Sequence, residues 1–281
     1  MTTFLPPPVD VNVLLAEDEP EYNWCIPGLM ERGDRLILTG YEGAGKTVLL
    51  RQIAVQCAVG IHPFTLEPME PQRVLFVDLE NPSSLIRRKL AELCVDRTVP
   101  YGNLMVARWP SGLDITQSVD REALRGVLGD VSPELLVIGP MYKLAQHLDK
   151  EEVAGEVAAT LDAWRTVFNF TLIMEAHQPH QTVVDGQRWR AERPIGSSLW
   201  MRWPEFGVCL ENRGTLRHWR GQRDEREWPD KLYRGEEWPW MVEARLCLHC
   251  GEPLKDTQEK YCSEKCGNAA RVAKYRASRK L

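Results

Sequence analysis

The 281-residue sequence contains no run of 18 or more apolar residues, so no segment is expected to cross a membrane as a helix. Its opening, MTTFLPPPVD, lacks the basic cluster and apolar stretch of a secretory signal, and a cytoplasmic location is the expectation. Lysine and arginine are missing from residues 1–31, and acids are missing from 267–281, where Arg271, Lys274, Arg276, Arg279 and Lys280 fall. The net charge of −5 thus averages an acidic beginning with a basic end, and such an end suits either local contact with a polyanion or a solvated helix. No internal repeat is visible. A disulfide framework is not implied by the eight cysteines, because Cys25, Cys57, Cys94 and Cys209 stand singly among apolar residues and read as buried thiols in a reducing compartment. The other four are clustered and are taken up below.

With 43% hydrophobic residues, the chain can bury a sizeable core, as one large domain or one domain with a small appendage. Residues 35–50, RLILTGYEGAGKTVLL, place an apolar run, a glycine-rich turn and the start of a helical pattern in succession. The octet Gly40-Tyr41-Glu42-Gly43-Ala44-Gly45-Lys46-Thr47 satisfies G-x-x-x-x-G-K-[ST] at every fixed position. Glycines there let the backbone curl until successive N–H groups point at phosphate oxygens, and the following helix aims its positive end at them. Lys46 is placed to reach the β- and γ-phosphates and Thr47 to ligate Mg²⁺. This spacing predicts binding of a nucleoside triphosphate such as ATP.

Residues 1–23 are Pro-rich and acidic, an arm with Pro6-Pro7-Pro8 extended. Beyond the loop, a helix is expected to about Ala58, stopped by Gly60 and Pro63. Residues 73–79 and 134–139 read as buried strands and 104–109 and 170–175 as further strands, separated by helices at 83–93, 120–128 and 151–168. That alternation predicts an α/β fold with a mainly parallel central sheet and helices on both faces. From about residue 185 Arg and Trp interleave, and 206–211 with 215–219 read as an antiparallel edge hairpin joined at Asn212-Arg213-Gly214.

The order of these features resembles the RecA-like P-loop ATPase core, in the RepA/DnaB-type hexameric helicase branch of phages and plasmids, over roughly residues 24–230. The carriers are the phosphate loop, a strand ending in Asp78-Leu79-Glu80, a later apolar strand ending in Gly139-Pro140, and a strand leading to His177. The resemblance implies that Glu80 orients the attacking water and that His177 senses the γ-phosphate. Gly139 stands where that family has an aspartate assisting Mg²⁺, and Asp78, at the same sheet edge, is the candidate to compensate. It also implies that residues 178–193 form a DNA-binding loop, with Arg188, Trp189 and Arg190 pairing with phosphate and stacking on bases. By the same resemblance, Arg220 and Arg223 are the finger that reaches the neighbouring subunit's nucleotide in a homo-oligomeric, hexameric ring.

Cys247-x₂-Cys250 and Cys262-x₃-Cys266, eleven residues apart, have the spacing of a four-thiolate Zn²⁺ site, with His249 a spare donor. Residues 261–268, YCSEKCGN, followed by a basic helix, resemble the CGNR-type, treble-clef-like zinc fingers, whose signature arginine is replaced here by Ala269. About 35 residues build little core, so metal is expected to fold this tail, with Arg271, Lys274 and Arg276 contacting phosphate. The expected organisation is therefore an arm at 1–23, a RecA-like ATPase domain at 24–240 and a zinc-finger tail at 245–281. The expected function is an ATP-driven DNA motor of helicase type acting on single-stranded DNA in replication or recombination. An ATP-dependent recombinase or annealing protein, and a nucleotide-gated helicase loader, are the alternatives.

Overall fold

The computed structural model describes residues 8–18, 22–179, 182–184, 187–189, 191, 193–221, 226–243, 246–252, 254, 258 and 260–278; side chains at 182–184, 187–189 and 273–278 are not described. In the arm, Val11–Leu15 form a short helix (α1) whose first turn is capped by Asp10, which accepts a hydrogen bond from the Asn12 N–H at 2.9 Å. Pro6 and Pro7, expected to be extended, lie outside the described residues. A small antiparallel ribbon, Trp24–Ile26 (β1) with Met30–Glu31 (β2), then leads into Arg35–Gly40 (β3) and the helix Lys46–Val59 (α2).

The chain continues as Val74–Asp78 (β4), Ser83–Leu93 (α3), Leu104–Arg108 (β5), Ser118–Val131 (α4), Leu135–Gly139 (β6), Glu151–Phe168 (α5) and Thr171–Glu175 (β7). Short strands Thr182–Val184 (β8) and Gln187–Trp189 (β9) form a hairpin, then come Phe206–Leu210 (β10), Leu216–Arg220 (β11) and the terminal helix Glu264–Ser278 (α6). The central sheet has seven strands in the order β11-β10-β3-β7-β6-β4-β5, parallel throughout except for the β10–β11 edge hairpin. The expected fold class is the observed one.

Because successive side chains on a strand point to opposite faces, the apolar runs feed two cores at once. Leu136 and Ile138 of β6 join Leu172 and Met174 of β7 beneath α4 and α5, where Leu128, Leu161 and Trp164 close the layer. Leu135 and Val137 look the other way, toward Leu49, Leu50 and Ile53 of α2. Helix α2 is buried on nearly every side, including Gln52 and Gln56, because the segment 226–243 packs over it. A two-way amide clamp fastens that segment: the Trp240 N–H donates to Gln52 Oε1 at 2.9 Å, and Gln52 Nε2 donates to the Trp240 carbonyl at 2.7 Å. A buried amide with both ends satisfied fixes register as well as adding stability. Of the singly placed cysteines, Cys25, Cys57 and Cys209 are buried as expected, whereas Cys94 is only half-buried. Among the described residues no helix is long and apolar enough to cross a membrane.

Candidate nucleotide site

Strand β3 ends at Gly40 and α2 begins at Lys46, so the loop between them sits at the carboxyl edge of the parallel sheet, where ligands of open α/β sheets bind. Gly43 and Gly45 have φ of 80° and 95°, left-handed values that side-chain-bearing residues rarely adopt, and these turns are what curl the loop. The first turn of α2 carries no acid, leaving its N–H groups and dipole to attract an anion. Lys46 is 4% exposed, and its Nζ donates to the carbonyls of Gly40 and Tyr41 at 3.0 and 3.1 Å. Burial lowers its pKa. The loop opens on a cleft of about 770 Å³ lined also by Glu80, Tyr142, Glu175, His177 and Arg234, within the range that holds a small-molecule cofactor.

Across the cleft, Glu80 follows the end of β4 with its carboxylate exposed, and it accepts a hydrogen bond from the Tyr142 hydroxyl at 3.1 Å. The Tyr142 ring tilts against His177, with centroids 5.7 Å apart. Burial, reinforced by the Lys46 charge, lowers the His177 pKa and keeps the imidazole neutral. Its carbonyl accepts the Ile195 N–H at 2.8 Å, tying the end of β7 to the chain beyond the β8–β9 hairpin. The structure thus brings Glu80 and His177 to the phosphate loop, as the sequence suggested.

One expectation needs correction. Asp78, read as a holder of a Mg²⁺ water, is 2% exposed and committed elsewhere: Oδ2 accepts from Arg51 Nη2 at 3.0 Å, and Oδ1 accepts the backbone N–H groups of Glu80 and Asn81 at 3.1 and 2.7 Å. It neutralises a buried arginine and shapes the turn that presents Glu80. Arg220, expected to serve a neighbouring subunit's nucleotide, lies away from its own chain's cleft. Strand β11 runs antiparallel, so Arg220 pairs with Gly207, level with Ile37 of β3 rather than with Gly40. Its guanidinium donates to the carbonyls of Pro204 and Met201. Arg223 lies outside the described residues.

Sequence reasoning missed Tyr142, Arg234 and Glu175 of the cleft. Arg234 enters it from the same chain, with its guanidinium stacked 3.7 Å over the Trp240 ring, and a Cβ at Gly45 would sit 3.1 Å from its Nη2. Nothing local marks Arg234, since only the packing of 226–243 on α2 carries it to the loop. Glu175 reads in sequence as a neighbour of His177, although an acid closing an apolar strand is a readable signal. Its carboxylate accepts the Thr47 hydroxyl, at 2.9 and 3.0 Å from its two oxygens, and lies 3.9 Å from Lys46 Nζ.

Residues 2–183 match the profile of a protein family described as an AAA domain. The chain belongs to that family. As an AAA-domain protein with a phosphate loop at the carboxyl edge of a parallel sheet, it is an ATP-binding P-loop ATPase. It is also similar to a solved KaiC-like protein of the hyperthermophilic archaeon Pyrococcus horikoshii. That similarity has 18% identity and a TM-score of 0.49, covering 78% of this chain and 94% of the other. No curated protein matches. Oxygen donors face this AAA domain's cleft, among them Thr47, Glu42, Glu80 and Glu175, and oxygen is the kind of donor that Mg²⁺ takes beside substrate phosphates.

In the tail, Cys247, Cys250, Cys262 and Cys266 place their sulfurs within 4.8 Å of one another, while His249 stays out of the cluster. Three of the separations are 3.4, 3.5 and 3.7 Å, too long for a disulfide and close to the roughly 3.8 Å that four sulfurs around one Zn²⁺ would show. Backbone N–H groups of Cys250, Cys262 and His249 outweigh desolvation and hold the Cys247 thiol at about 6. Hydrogen bonding with Cys250 and Cys266 pushes Cys262 up to about 12. A divalent cation would relieve that second ionisation, so the residues fit zinc. Arg271 on α6 is exposed and donates to Asn268 Oδ1 at 2.7 Å; Lys274 and Arg276 follow on the same helix. Arg188 and Trp189 belong to β9, opposite Val183 and Thr182, and Arg190 lies outside the described residues.

Proposed function

We propose that this AAA-domain ATPase is a DNA motor of helicase type, working as a homo-oligomeric ring on single-stranded DNA. The observation that carries the reading is the continuity between cleft and hairpin. His177 lines the nucleotide cleft, and five residues later the chain enters the β8–β9 hairpin bearing Arg188 and Trp189. A change felt at His177 is transmitted over so short a tether without any domain-scale rearrangement.

In this reading Lys46 leaves the Gly40 and Tyr41 carbonyls for phosphate oxygens, joined by the N–H groups that open α2. Glu80, held by Tyr142, orients the attacking water, and neutral His177 offers a hydrogen bond rather than a second cation. Mg²⁺, when bound, offsets the charge on the phosphates. Arg234 adds a guanidinium from within the chain, and Arg220 and Arg223 of an adjoining copy complete the cleft. One zinc per chain orders the tail, so that α6 contacts DNA phosphates through Arg271, Lys274 and Arg276.

The test measures ATP hydrolysis with and without single-stranded DNA, then unwinding of a forked duplex. DNA-stimulated hydrolysis with unwinding is expected, and Glu80→Gln is expected to bind ATP without turning it over. Annealing or strand exchange without unwinding would move the protein to the recombinase class. ATP-gated DNA binding without turnover would make it a loader. An ATPase indifferent to DNA would refute the DNA reading.

A further inference from the structure

Four acids lie at the carboxyl edge of the sheet near the phosphate loop, and their partners separate their tasks. Asp78 is consumed by Arg51 and by the backbone of Glu80 and Asn81. Glu42 stands exposed on the loop, and Glu80 is exposed against Tyr142. Glu175 alone is both buried, at 6% exposure, and in contact with the loop's hydroxyl. Its two oxygens straddle Thr47 Oγ1, so the hydroxyl proton points at the carboxylate and the oxygen's lone pairs are left for an electrophile in the cleft. An acid buried beside one lysine at 3.9 Å retains polar capacity that a single shared hydroxyl proton does not use up.

A second observation concerns the adjacent strand. Gly139 ends β6 beside Glu175 on β7, and a Cβ built on it would lie 2.5 Å from Glu175 Cβ and 3.3 Å from Glu175 Cα and N. No real Cβ tolerates the first distance, and the other two involve backbone that cannot swing away. The two strand ends therefore cannot both carry a side chain in this arrangement. Glycine at position 139 leaves the room in which residue 175 can carry a side chain, here the acid.

We infer that Glu175 on β7 is the acid that ties the divalent cation to the phosphate loop, by orienting Thr47 and accepting from the cation's water shell, and that Gly139 is the space it needs. The inference rests on the ATP-binding reading and assigns the cation's protein anchor within it. Glu80 is thereby free to act on water alone, so metal holding and water activation fall on acids from different strands. Glu175 is a positioning residue whose signature is metal affinity rather than turnover.

The experiment uses the full-length protein, a fluorescent non-hydrolysable ATP analogue, and Mn²⁺ as a paramagnetic substitute for Mg²⁺. Analogue affinity is measured in EDTA, and the Mn²⁺ midpoint is then read at saturating analogue by EPR of free Mn²⁺. Glu175→Gln, nearly isosteric, is expected to raise that midpoint about 10- to 100-fold while leaving affinity in EDTA within about twofold. Glu80→Gln is expected to keep the wild-type midpoint. Gly139→Ala changes no charge, yet should raise the midpoint at least about fivefold by displacing Glu175. Should Glu175→Gln fold poorly, Glu175→Asp, which keeps the charge but withdraws it by one methylene, is expected to show an intermediate shift. A wild-type midpoint in Glu175→Gln, or in Glu175→Asp and Gly139→Ala together, would overturn the inference and leave ATP binding standing. Failure of the wild-type protein to bind the analogue would instead overturn the ATP reading, and this inference with it.

Discussion

Replacing Asp78 separates a structural acid from a metal-holding one. The Arg51 guanidinium and the Asp78 carboxylate are both almost fully buried and meet at 3.0 Å. Asp78→Ala leaves the buried Arg51 guanidinium without its carboxylate, and breaking one half of such a pair costs about 3–5 kcal/mol. That is a large part of the roughly 5–15 kcal/mol that holds a typical protein folded. Asp78→Asn keeps an oxygen for the Asn81 N–H but not the charge, so its cost is about 1.5–3 kcal/mol, that of a charge-assisted hydrogen bond. Urea unfolding followed by tryptophan fluorescence measures both. The folded fraction of Asp78→Asn should retain the wild-type divalent-cation midpoint for nucleotide binding, because the carboxylate faces Arg51. Stability of Asp78→Ala within about 1 kcal/mol of wild type would refute this reasoning. So would a raised cation midpoint in an Asp78→Asn protein of normal stability.

Other expectations follow from the same contacts. Arg234→Ala should weaken triphosphate binding about tenfold, the loss of one charge-assisted contact, while Arg234→Lys recovers only part because it cannot stack as flatly on Trp240; equilibrium titration of the ATP analogue checks this. The His62 Nδ1 accepts the Phe64 and Thr65 N–H groups at 3.2 and 3.0 Å, and Nε2 lies 2.9 Å from the Pro27 carbonyl, an arrangement that only the neutral ring satisfies. Burial likewise lowers its pKa below 6.5, so the unfolded chain takes up the proton first. Its contribution is complete above pH 6.5 and is lost as pH falls below it, by up to about 1.4 kcal/mol per pH unit. His62→Gln should flatten the urea midpoint's dependence on pH between 7 and 5.5. Purified protein should carry one zinc per chain, and chelation should abolish hydrogen-exchange protection in α6 while the sheet keeps its own, as mass spectrometry would show.

The sequence by itself determined the strands of the central sheet, the phosphate loop and the cysteine cluster. Continuous apolar runs such as 135–138 have no polar face to turn to solvent, so they had to be strands buried on both sides, and the parallel sheet followed. The phosphate octet carries its function in backbone conformation, which two left-handed glycines impose locally. The four thiols declare themselves because two close pairs and a short spacer already bring them together. Glu80 was legible for a related reason, since the end of a parallel strand is a fixed place relative to the loop.

Tertiary structure alone decided which charged groups share the cleft. Asp78 and Glu80 are two residues apart, yet a buried arginine from α2 claims one carboxylate and the cleft the other. Nothing within ten residues of Asp78 announces Arg51. Gly139 reads in sequence as an acid lost, but beside β7 it is the room that Glu175 occupies, a relation created only by pairing β6 with β7. Arg234 reaches the phosphate loop because Gln52 clamps Trp240, and Arg220 does not because β11 runs the opposite way to β10. Local propensity fixes each element's conformation, whereas the identity of a charge's partner depends on strand order and direction, which are set by how the two apolar faces are covered.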